Sequence, residues 1–283
     1  MVLRTPEGRR TQPTTLGPPL GNFAMTLKLH VVLTLIVCAG LVPDALAEEE
    51  AGPKESPTQE LEAKAAKGDP ESQFRLGVHH QIGLTGEADL AQAIRWFRKA
   101  ADQGYLSAQK RLGNLCLFGE GVPKDETEGL KWYRKAAEQG DAESIFYVGA
   151  CYNEGLGVPK DQTEAANWWR KGADKGDDGC QVNLGVAYMN GWGVQEDEIE
   201  AVHWFRRAAH QGHALAQFKL SEVYRIGVAV PKDYVIAYKW ILLAGAKDKK
   251  HRAFINRIET ELTPEQRAEG QKLAREFKPV VQK

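Results

Sequence analysis

The chain has 283 residues, of which 42% are apolar and 27% are charged, as is typical of a folded globular protein. Lys and Arg total 37 and Asp and Glu total 38, which gives a formal net charge of −1. A nucleic-acid-binding surface needs a clustered excess of basic residues, so this balance argues against nucleic acid as a partner.

The segment that begins at Met25 has the pattern of an export signal. A basic start is followed by an apolar run from Val31 to Val42 and by the small-x-small sequence Ala45-Leu46-Ala47. The run is too short to cross a bilayer as a helix. We therefore predict a signal peptide over residues 1–47 that is removed after Ala47, with retention as a membrane anchor as the alternative.

The rest of the N-terminal region completes this division. Residues 1–24 are polar and precede an internal methionine, so we interpret them as an over-extended start. Residues 48–55 are expected to be a linker. The mature chain is then expected to be periplasmic or secreted, without stable insertion in the membrane.

One pattern recurs every 36 residues. Its clearest column is a tryptophan followed by a second large apolar residue: Trp96-Phe97, Trp132-Tyr133, Trp168-Trp169, Trp204-Phe205 and Trp240-Ile241. Loop glycines keep the same spacing at Gly83, Gly119, Gly155, Gly191 and Gly227. Aspartates do the same at Asp89, Asp125, Asp161, Asp197 and Asp233. A fixed period of this length is the signature of a stacked repeat array.

Each repeat is predicted to form two helices. Helix A ends at the loop glycine and begins at about Glu71, Ser107, Glu143, Gly179 or Leu215; its apolar residues have helical spacing. Helix B begins at the aspartate. Three residues later stand Gln92, Glu128, Glu164 and Glu200, which predicts a capping box in which this side chain bonds back to the aspartate N–H. Repeat five, with Ile236, lacks it.

The two ends of the array differ from the repeats, as terminal units of stacked arrays do. Ser56 is predicted to cap a leading half-repeat helix, so the repeat solenoid is expected over residues 56–248. Residues 249–283 are predicted to form capping helices, the last of which starts at Thr263. The sequence therefore predicts an all-α solenoid of five helix-turn-helix repeats.

Repeat two carries the motif most completely: Ala108-Gln109, Leu112-Gly113, Gly119-Glu120-Gly121-Val122-Pro123, Asp125, Trp132-Tyr133, Lys135-Ala136-Ala137 and Gly140. This motif resembles the SEL-one-like repeat, a longer relative of the tetratricopeptide repeat, over about residues 60–280. The resemblance implies a right-handed α-solenoid that binds other proteins and needs no cofactor. A cysteine-rich branch of that family is associated with penicillin binding and β-lactamase activity, which supplies a cell-wall enzyme or binder as the alternative.

The cysteines depart from that branch, whose repeats are joined by pairs of cysteines a few residues apart. Cys116, Cys151 and Cys180 have no partner within ten residues, so we expect that folding needs no disulfide bond inside the mature chain. Three is an odd number, so at least one thiol is expected to be free or to pair between chains. Cys180 stands in a column of small residues and Cys116 in a column that otherwise holds histidine and tyrosines, so both are expected to pack. We predict a scaffold rather than an enzyme, with no catalytic, cofactor or metal site.

The expected binding surface is the concave face lined by the A helices. Helix A carries small columns and helix B the bulky tryptophan pairs, so the A helices should approach more closely and line the inside of the curve. One helix A column varies in chemistry, as a recognition surface does: Phe74, Lys110, Phe146, Val182 and Phe218. Packing between repeats is an equal alternative for this column.

Trp192 is a second candidate contact. It is an aromatic residue in a loop, and tryptophan is enriched at binding sites. Its counterparts near the same place in the other loops are Leu84, Glu120, Leu156 and Ala229. Local packing of the loop is the alternative.

Overall fold

The computed structural model describes residues 57–84, 86–245 and 251–280, and the predicted signal peptide and linker lie outside them. The described part contains thirteen α-helices and no β-strand. They are α1 (Pro57–Ala66), α2 (Pro70–Ile82), α3 (Leu90–Asp102), α4 (Leu106–Phe118), α5 (Glu126–Glu138), α6 (Ala142–Glu154), α7 (Gln162–Asp174), α8 (Asp178–Asn190), α9 (Glu198–His210), α10 (Ala214–Ile226), α11 (Tyr234–Gly245), α12 (Arg252–Glu259) and α13 (Pro264–Glu276).

Five pairs of these helices form the repeats. Helices α2, α4, α6, α8 and α10 are the A helices, and α3, α5, α7, α9 and α11 are the B helices. The two helices of a repeat pack together, and the B helices of the first four repeats also pack against the next A helix. This confirms the all-α solenoid of five repeats. None of the described helices has the length and apolar character needed to cross a membrane.

The A helices begin one residue earlier than predicted, because three of them have an aspartate cap that the sequence pattern did not single out. The side chains of Asp69, Asp141 and Asp177 accept hydrogen bonds from backbone N–H groups at 2.7, 2.8 and 2.6 Å. Each A helix ends at the loop glycine in the left-handed region, with φ of 77° at Gly83. Glycine adopts that conformation without strain, so it stops the helix where the chain turns.

The B helices show only half of the predicted capping box. In all five repeats the aspartate side chain accepts a hydrogen bond from the N–H three residues later, including that of Ile236 at 2.9 Å. The other half is wrong. The aspartate N–H donates instead to a carbonyl oxygen of the preceding A helix, as Asp125 does to Cys116 at 2.9 Å. Packing of the loop brings that carbonyl within reach and uses the donor that the Gln or Glu side chain would have bonded.

The second residue of the tryptophan pair packs against a glycine of helix A in the same repeat. A Cβ atom added at Gly77 would lie 2.6 Å from the Phe97 ring, and one at Gly113 would lie 2.9 Å from the Tyr133 ring. Both distances are too short for a side chain, so the glycines make room for the rings. The residues buried in this way are Phe97, Tyr133, Trp169 and Phe205.

Helices at both ends cover the terminal repeats. Leu61 of α1 packs against Leu76 of the first repeat. At the other end, Gly270 of α13 lies so close to Tyr238 of α11 that an added Cβ atom would be 2.8 Å from its ring. α13 begins with a complete capping box, the arrangement that the B helices lack. The terminal apolar faces of the array are therefore covered by segments outside the repeats.

Candidate protein-interaction surface

The column predicted as a recognition surface lies between successive repeats. The centroid of the Phe74 ring is 5.5 Å from those of Phe97 and Tyr105, the latter just before the next A helix. Phe146 lies against Gly179, where an added Cβ atom would come within 3.2 Å of the ring. Both phenylalanines therefore contact the first turn of the following A helix or the residue before it.

Two other members of the column are also engaged within the chain. Phe218 stacks on His251 with 4.8 Å between ring centroids. Val182 is only 1% exposed, so it offers no surface to a partner. These contacts support packing between repeats for the column, and a role in binding stays a prediction.

Lys110 also contacts the start of the next A helix, but through ion pairs rather than apolar packing. Its ammonium group lies 2.5 Å from Glu143 and 3.2 Å from Asp141, both at the start of the next A helix. Burial by itself lowers the pKa of Lys110, but the two carboxylates outweigh it and the pKa is raised. The charge is thus retained at a joint between repeats.

Trp192 belongs to a loop column whose register the structure fixes. The Trp192 N–H donates to the Ala187 carbonyl oxygen at 2.9 Å. The same bond forms in repeats one, three and five, and its donor in repeat five is Val228, which corrects the alignment with Ala229. Apolar residues are common at this point after a helix-ending glycine, and four of the five repeats have one. Trp192 therefore occupies a regular position, and the residue is 40% exposed.

Exposed apolar side chains are concentrated at the C-terminal ends of the A helices. Of eight large ones in the described residues, five stand at the last residue of an A helix or just after its glycine. They are Ile82, Leu84, Phe118, Trp192 and Ile226, and we name these five residues the apolar row. Equivalent helix ends lie along one edge of a stacked array, and apolar side chains gathered on one surface mark interaction sites.

The tryptophans of the B helices are covered by cations. The pairs are Lys99 over Trp96 at 3.9 Å, Lys135 over Trp132 at 4.0 Å, Lys171 over Trp168 at 4.1 Å, Arg207 over Trp204 at 4.9 Å and Lys239 over Trp240 at 4.5 Å. Such a contact contributes about 0.5–1 kcal/mol at an exposed site. The B helices therefore present charged groups at their surface, whereas the C-terminal ends of the A helices present apolar side chains.

The three described cysteines are free thiols. Burial raises the pKa of Cys151 to about 12 and also raises the pKa of Cys180. Such thiols stay protonated at neutral pH and are poor nucleophiles. In the described ranges, no three His, Cys, Asp or Glu side chains are grouped as a metal site requires. The buried thiols fit the packing role.

Buried glutamines of helix A join successive repeats, a function that sequence reasoning missed. Gln109 donates to the Ala101 carbonyl oxygen at 3.1 Å and accepts from Gln139 at 2.7 Å. The equivalent bond to the preceding helix is made by Gln73, Gln181 and Gln217, and for Gln73 that helix is α1. Their recurrence at the repeat spacing is the signal that could have revealed them.

Comparison with known proteins places these features in a family. A family model described as the Sel1 repeat matches residues 70–105, 106–141, 142–177, 179–213 and 214–249. A protective antigen of uropathogenic Escherichia coli with an SLR fold is 35% identical, with a TM-score of 0.72 over 88% of this chain and 52% of that one. A Sel1 repeat protein from Oxalobacter formigenes is 30% identical, with a TM-score of 0.64 over 74% of this chain and 86% of that one.

Two curated proteins match shorter segments. An uncharacterized protein of Neisseria meningitidis is 42% identical over 53 residues, which are 19% of this chain and 11% of that protein. The ERAD-associated E3 ubiquitin-protein ligase component HRD3A of Arabidopsis thaliana is 32% identical over 71 residues, which are 25% of this chain and 10% of that protein. The matches span about a tenth of these relatives and about half of the E. coli antigen.

Proposed function

Because the chain belongs to the Sel1 repeat family, we propose that it is an exported scaffold that binds another protein through the apolar row. Members of this family are typically protein–protein interaction scaffolds, and their fold is generally non-enzymatic. A stacked array suits this function, since each repeat can add contacts to one long surface.

The exposure of the apolar row carries the proposal. Glu154 ends the A helix of repeat three at the position that Ile226 holds in repeat five, so the repeat itself does not require an apolar residue there. Ile226 is nevertheless 49% exposed and Trp192 is 40% exposed. Burying such side chains in a partner is favourable by about 25 cal/mol per Å² of apolar surface. Tryptophan is also enriched among the residues that contribute most to binding.

The contact surface is proposed to continue from the apolar row along the A helices. In one column of the A helices, the residues that are not buried change from repeat to repeat: Arg75, Asn183 and Lys219. Such variation lets one partner be distinguished from another. The concave arrangement of the A helices, expected from their small columns, is part of this proposal.

Capture of a partner by matched variants tests the role of the apolar row. In one variant Ile82, Trp192 and Ile226 are all replaced by serine; in the control Ile199→Ser, the change is to an apolar residue that is 73% exposed on a B helix. Native envelope is passed over each immobilised protein, and the captured proteins are identified by mass spectrometry. We expect a partner that the wild type and the control retain and that the triple variant loses.

Circular dichroism of the triple variant is the check on folding, since all three side chains are exposed and their loss should leave the helices intact. Retention of every captured protein by a folded triple variant would refute the apolar row as the binding surface.

Export is tested separately at the N-terminus of the mature protein. Ala45 and Ala47 fit the small-residue preference of a signal peptidase. N-terminal sequencing of the exported protein should therefore begin at Glu48. A mature chain that retains residues before Met25 would contradict the predicted signal peptide.

A further inference from the structure

An arginine–tyrosine pair recurs at three joints between repeats. A tyrosine of helix A lies beneath a guanidinium group from the B helix of the preceding repeat. The pairs are Arg134 and Tyr152 at 5.2 Å, Arg170 and Tyr188 at 5.5 Å, and Arg206 and Tyr224 at 5.8 Å from guanidinium carbon to ring centroid. In each pair the arginine also donates a hydrogen bond to the phenol oxygen. The repeat therefore has a built place for a phenol ring.

Repeat two keeps this place but lacks the ring. Cys116 stands where the later repeats have tyrosine, and Arg98 stands where they have the arginine of the pair. An open pocket of about 750 Å³ lies there, and both residues line it. Leu112 and Leu115 contribute apolar walls, and none of the lining residues is aromatic. The pocket thus combines the Arg98 cation, apolar surface and the carboxylates of Asp125, Glu126 and Glu128 with the absence of the ring that fills its counterparts.

The size and chemistry of the pocket fit a tyrosine side chain. Ligand pockets in proteins commonly have volumes of about 300–1,000 Å³, and this one is large enough for a ring with part of its backbone. A guanidinium group attracts the face of an aromatic ring. In the sister repeats it also donates to the phenol oxygen, which selects tyrosine over phenylalanine.

We propose that this pocket, which we name the tyrosine pocket, binds a tyrosine side chain presented by a segment of a protein partner. The proposal rests on the function as a protein-binding scaffold and adds a site distinct from the apolar row. In this proposal, a tyrosine of the partner pairs with Arg98 and takes the place that a tyrosine of the chain occupies in the later repeats. The pocket is open at repeat two, whereas a tyrosine of the chain fills the same place at the three later joints. The partner's tyrosine is therefore expected to bind at one defined position along the array.

Nuclear magnetic resonance titration of the full mature chain tests the tyrosine pocket. The probe is a blocked Gly-Gly-Tyr-Gly-Gly peptide, followed through the Cys116 amide and the Arg98 side-chain Nε–H resonances. We expect saturable shifts of both resonances. A peptide with phenylalanine should bind several-fold more weakly, and one with alanine should cause no saturable shift. Equal binding of all three peptides would overturn the proposal.

Two substitutions at the pocket test the proposal, and the second has a matched control at a filled joint. Cys116→Tyr supplies the missing ring from within the chain and should weaken peptide binding by about tenfold or more. Arg98→Lys removes the planar guanidinium group and should weaken it several-fold. Arg170→Lys makes the same change above Tyr188 and should leave binding at repeat two unaltered. Unchanged peptide affinity in Cys116→Tyr would overturn the proposal.

A gain of binding provides the converse test. Tyr188→Cys should open an equivalent pocket beneath Arg170, so the peptide should then shift resonances at two joints rather than one. Circular dichroism verifies that each variant is folded. If p-cresol binds at Arg98 but the tyrosine peptide does not, a free phenol and not a protein segment is the ligand, and the proposal is overturned.

The two proposals can fail independently. Loss of partner capture in the triple apolar-row variant, with no peptide bound at repeat two, would overturn the tyrosine pocket and leave the scaffold proposal standing. Peptide binding at repeat two, with capture unaffected by the triple variant, would support the tyrosine pocket and refute the apolar row.

Discussion

Two successive joints of the solenoid have the same backbone arrangement but are held together differently. In the first, α5 of repeat two packs against α6; in the second, α7 of repeat three packs against α8. One buried position of helix A is Ile145 in the first joint and Gln181 in the second, and both are at most 2% exposed. The repeat therefore tolerates either an apolar or a polar side chain in one slot.

The buried glutamine of the second joint has hydrogen-bond partners for its amide group. Gln181 donates to the Ala173 carbonyl oxygen at 3.3 Å and accepts from Gln211 at 2.9 Å. In repeat three, Ile145 replaces the buried glutamine and Lys175 stands where repeat four has Gln211. The buried glutamine and its hydrogen-bond partner are therefore absent from the same repeat. A buried amide without a partner is costly, whereas an apolar pair is not. The comparison shows that the two positions change as a unit.

Volume is conserved across the same two joints. Ala136 faces Ser144 in the first, whereas Gly172 faces Cys180 in the second, so the larger thiol meets the smaller residue. A Cβ atom added at Gly172 would collide with the Cys180 sulfur and would lie 3.1 Å from Ile145. Close packing leaves no space for both side chains to be large.

The largest expected effect comes from filling that space. Gly172→Ala should lower the free energy of unfolding by about 2–3 kcal/mol through overpacking, although alanine has the higher helix propensity. Adding Cys180→Ala should restore most of the loss, because it recreates the alanine pair of other joints. Urea denaturation of both variants measures the effect, and a stabilised Gly172→Ala single variant would disprove the steric argument.

A smaller effect is expected from breaking the glutamine pair. Gln211→Ala leaves the buried oxygen of Gln181 without its donor and should cost about 1–2 kcal/mol. Lys175→Ala is the matched change at the joint of Ile145, which needs no hydrogen bond, and should cost less than about 0.5 kcal/mol. Equal losses of unfolding free energy in the two variants would show that the pair does not act as a unit.

A third prediction concerns the caps of α6 and α8. The pKa of Asp177 is raised above the usual 3.8, and burial of the carboxyl group is the main cause. A carboxyl group with a raised folded-state pKa is disfavoured when charged, so it lowers stability as the pH rises through that value. Asp177→Asn keeps the capping oxygen and should raise the unfolding free energy at pH 7 by less than about 1 kcal/mol.

The matched change for this prediction is Asp141→Asn, which loses the ion pair to Lys110 and should lower stability. The comparison is made by urea denaturation between pH 3 and pH 7. The gain from Asp177→Asn should vanish at the acidic end, where the aspartate is protonated in both states. A gain that persists there would contradict the electrostatic cause.

The last prediction is that a reductant does not change the thermal unfolding midpoint. The cysteines of both joints, Cys151 and Cys180, are free and fully buried. Thermal unfolding midpoints with and without a reductant should therefore agree. A large decrease in the presence of reductant would reveal a disulfide bond that stabilises the array.

The sequence by itself determined the repeat period, the two helices of each repeat, the helix-ending glycines and the aspartates that begin helix B. These features depend on residues a few positions apart, so local backbone preferences and helical spacing suffice to reveal them. The recurring tryptophan pairs then aligned the repeats with one another, and the small column that holds Cys180 indicated where helices come close.

Only the tertiary structure decided how groups distant in the chain were satisfied. The Asp125 N–H bonds to the carbonyl oxygen of Cys116 in the preceding helix, and Gln109 bonds to a residue of the previous repeat and to Gln139. The same holds for the column of Phe74, which packs between repeats, and for the pocket beside Arg98. Packing selects one partner among several that the chain could offer, because the donor and acceptor meet only after the helices have docked.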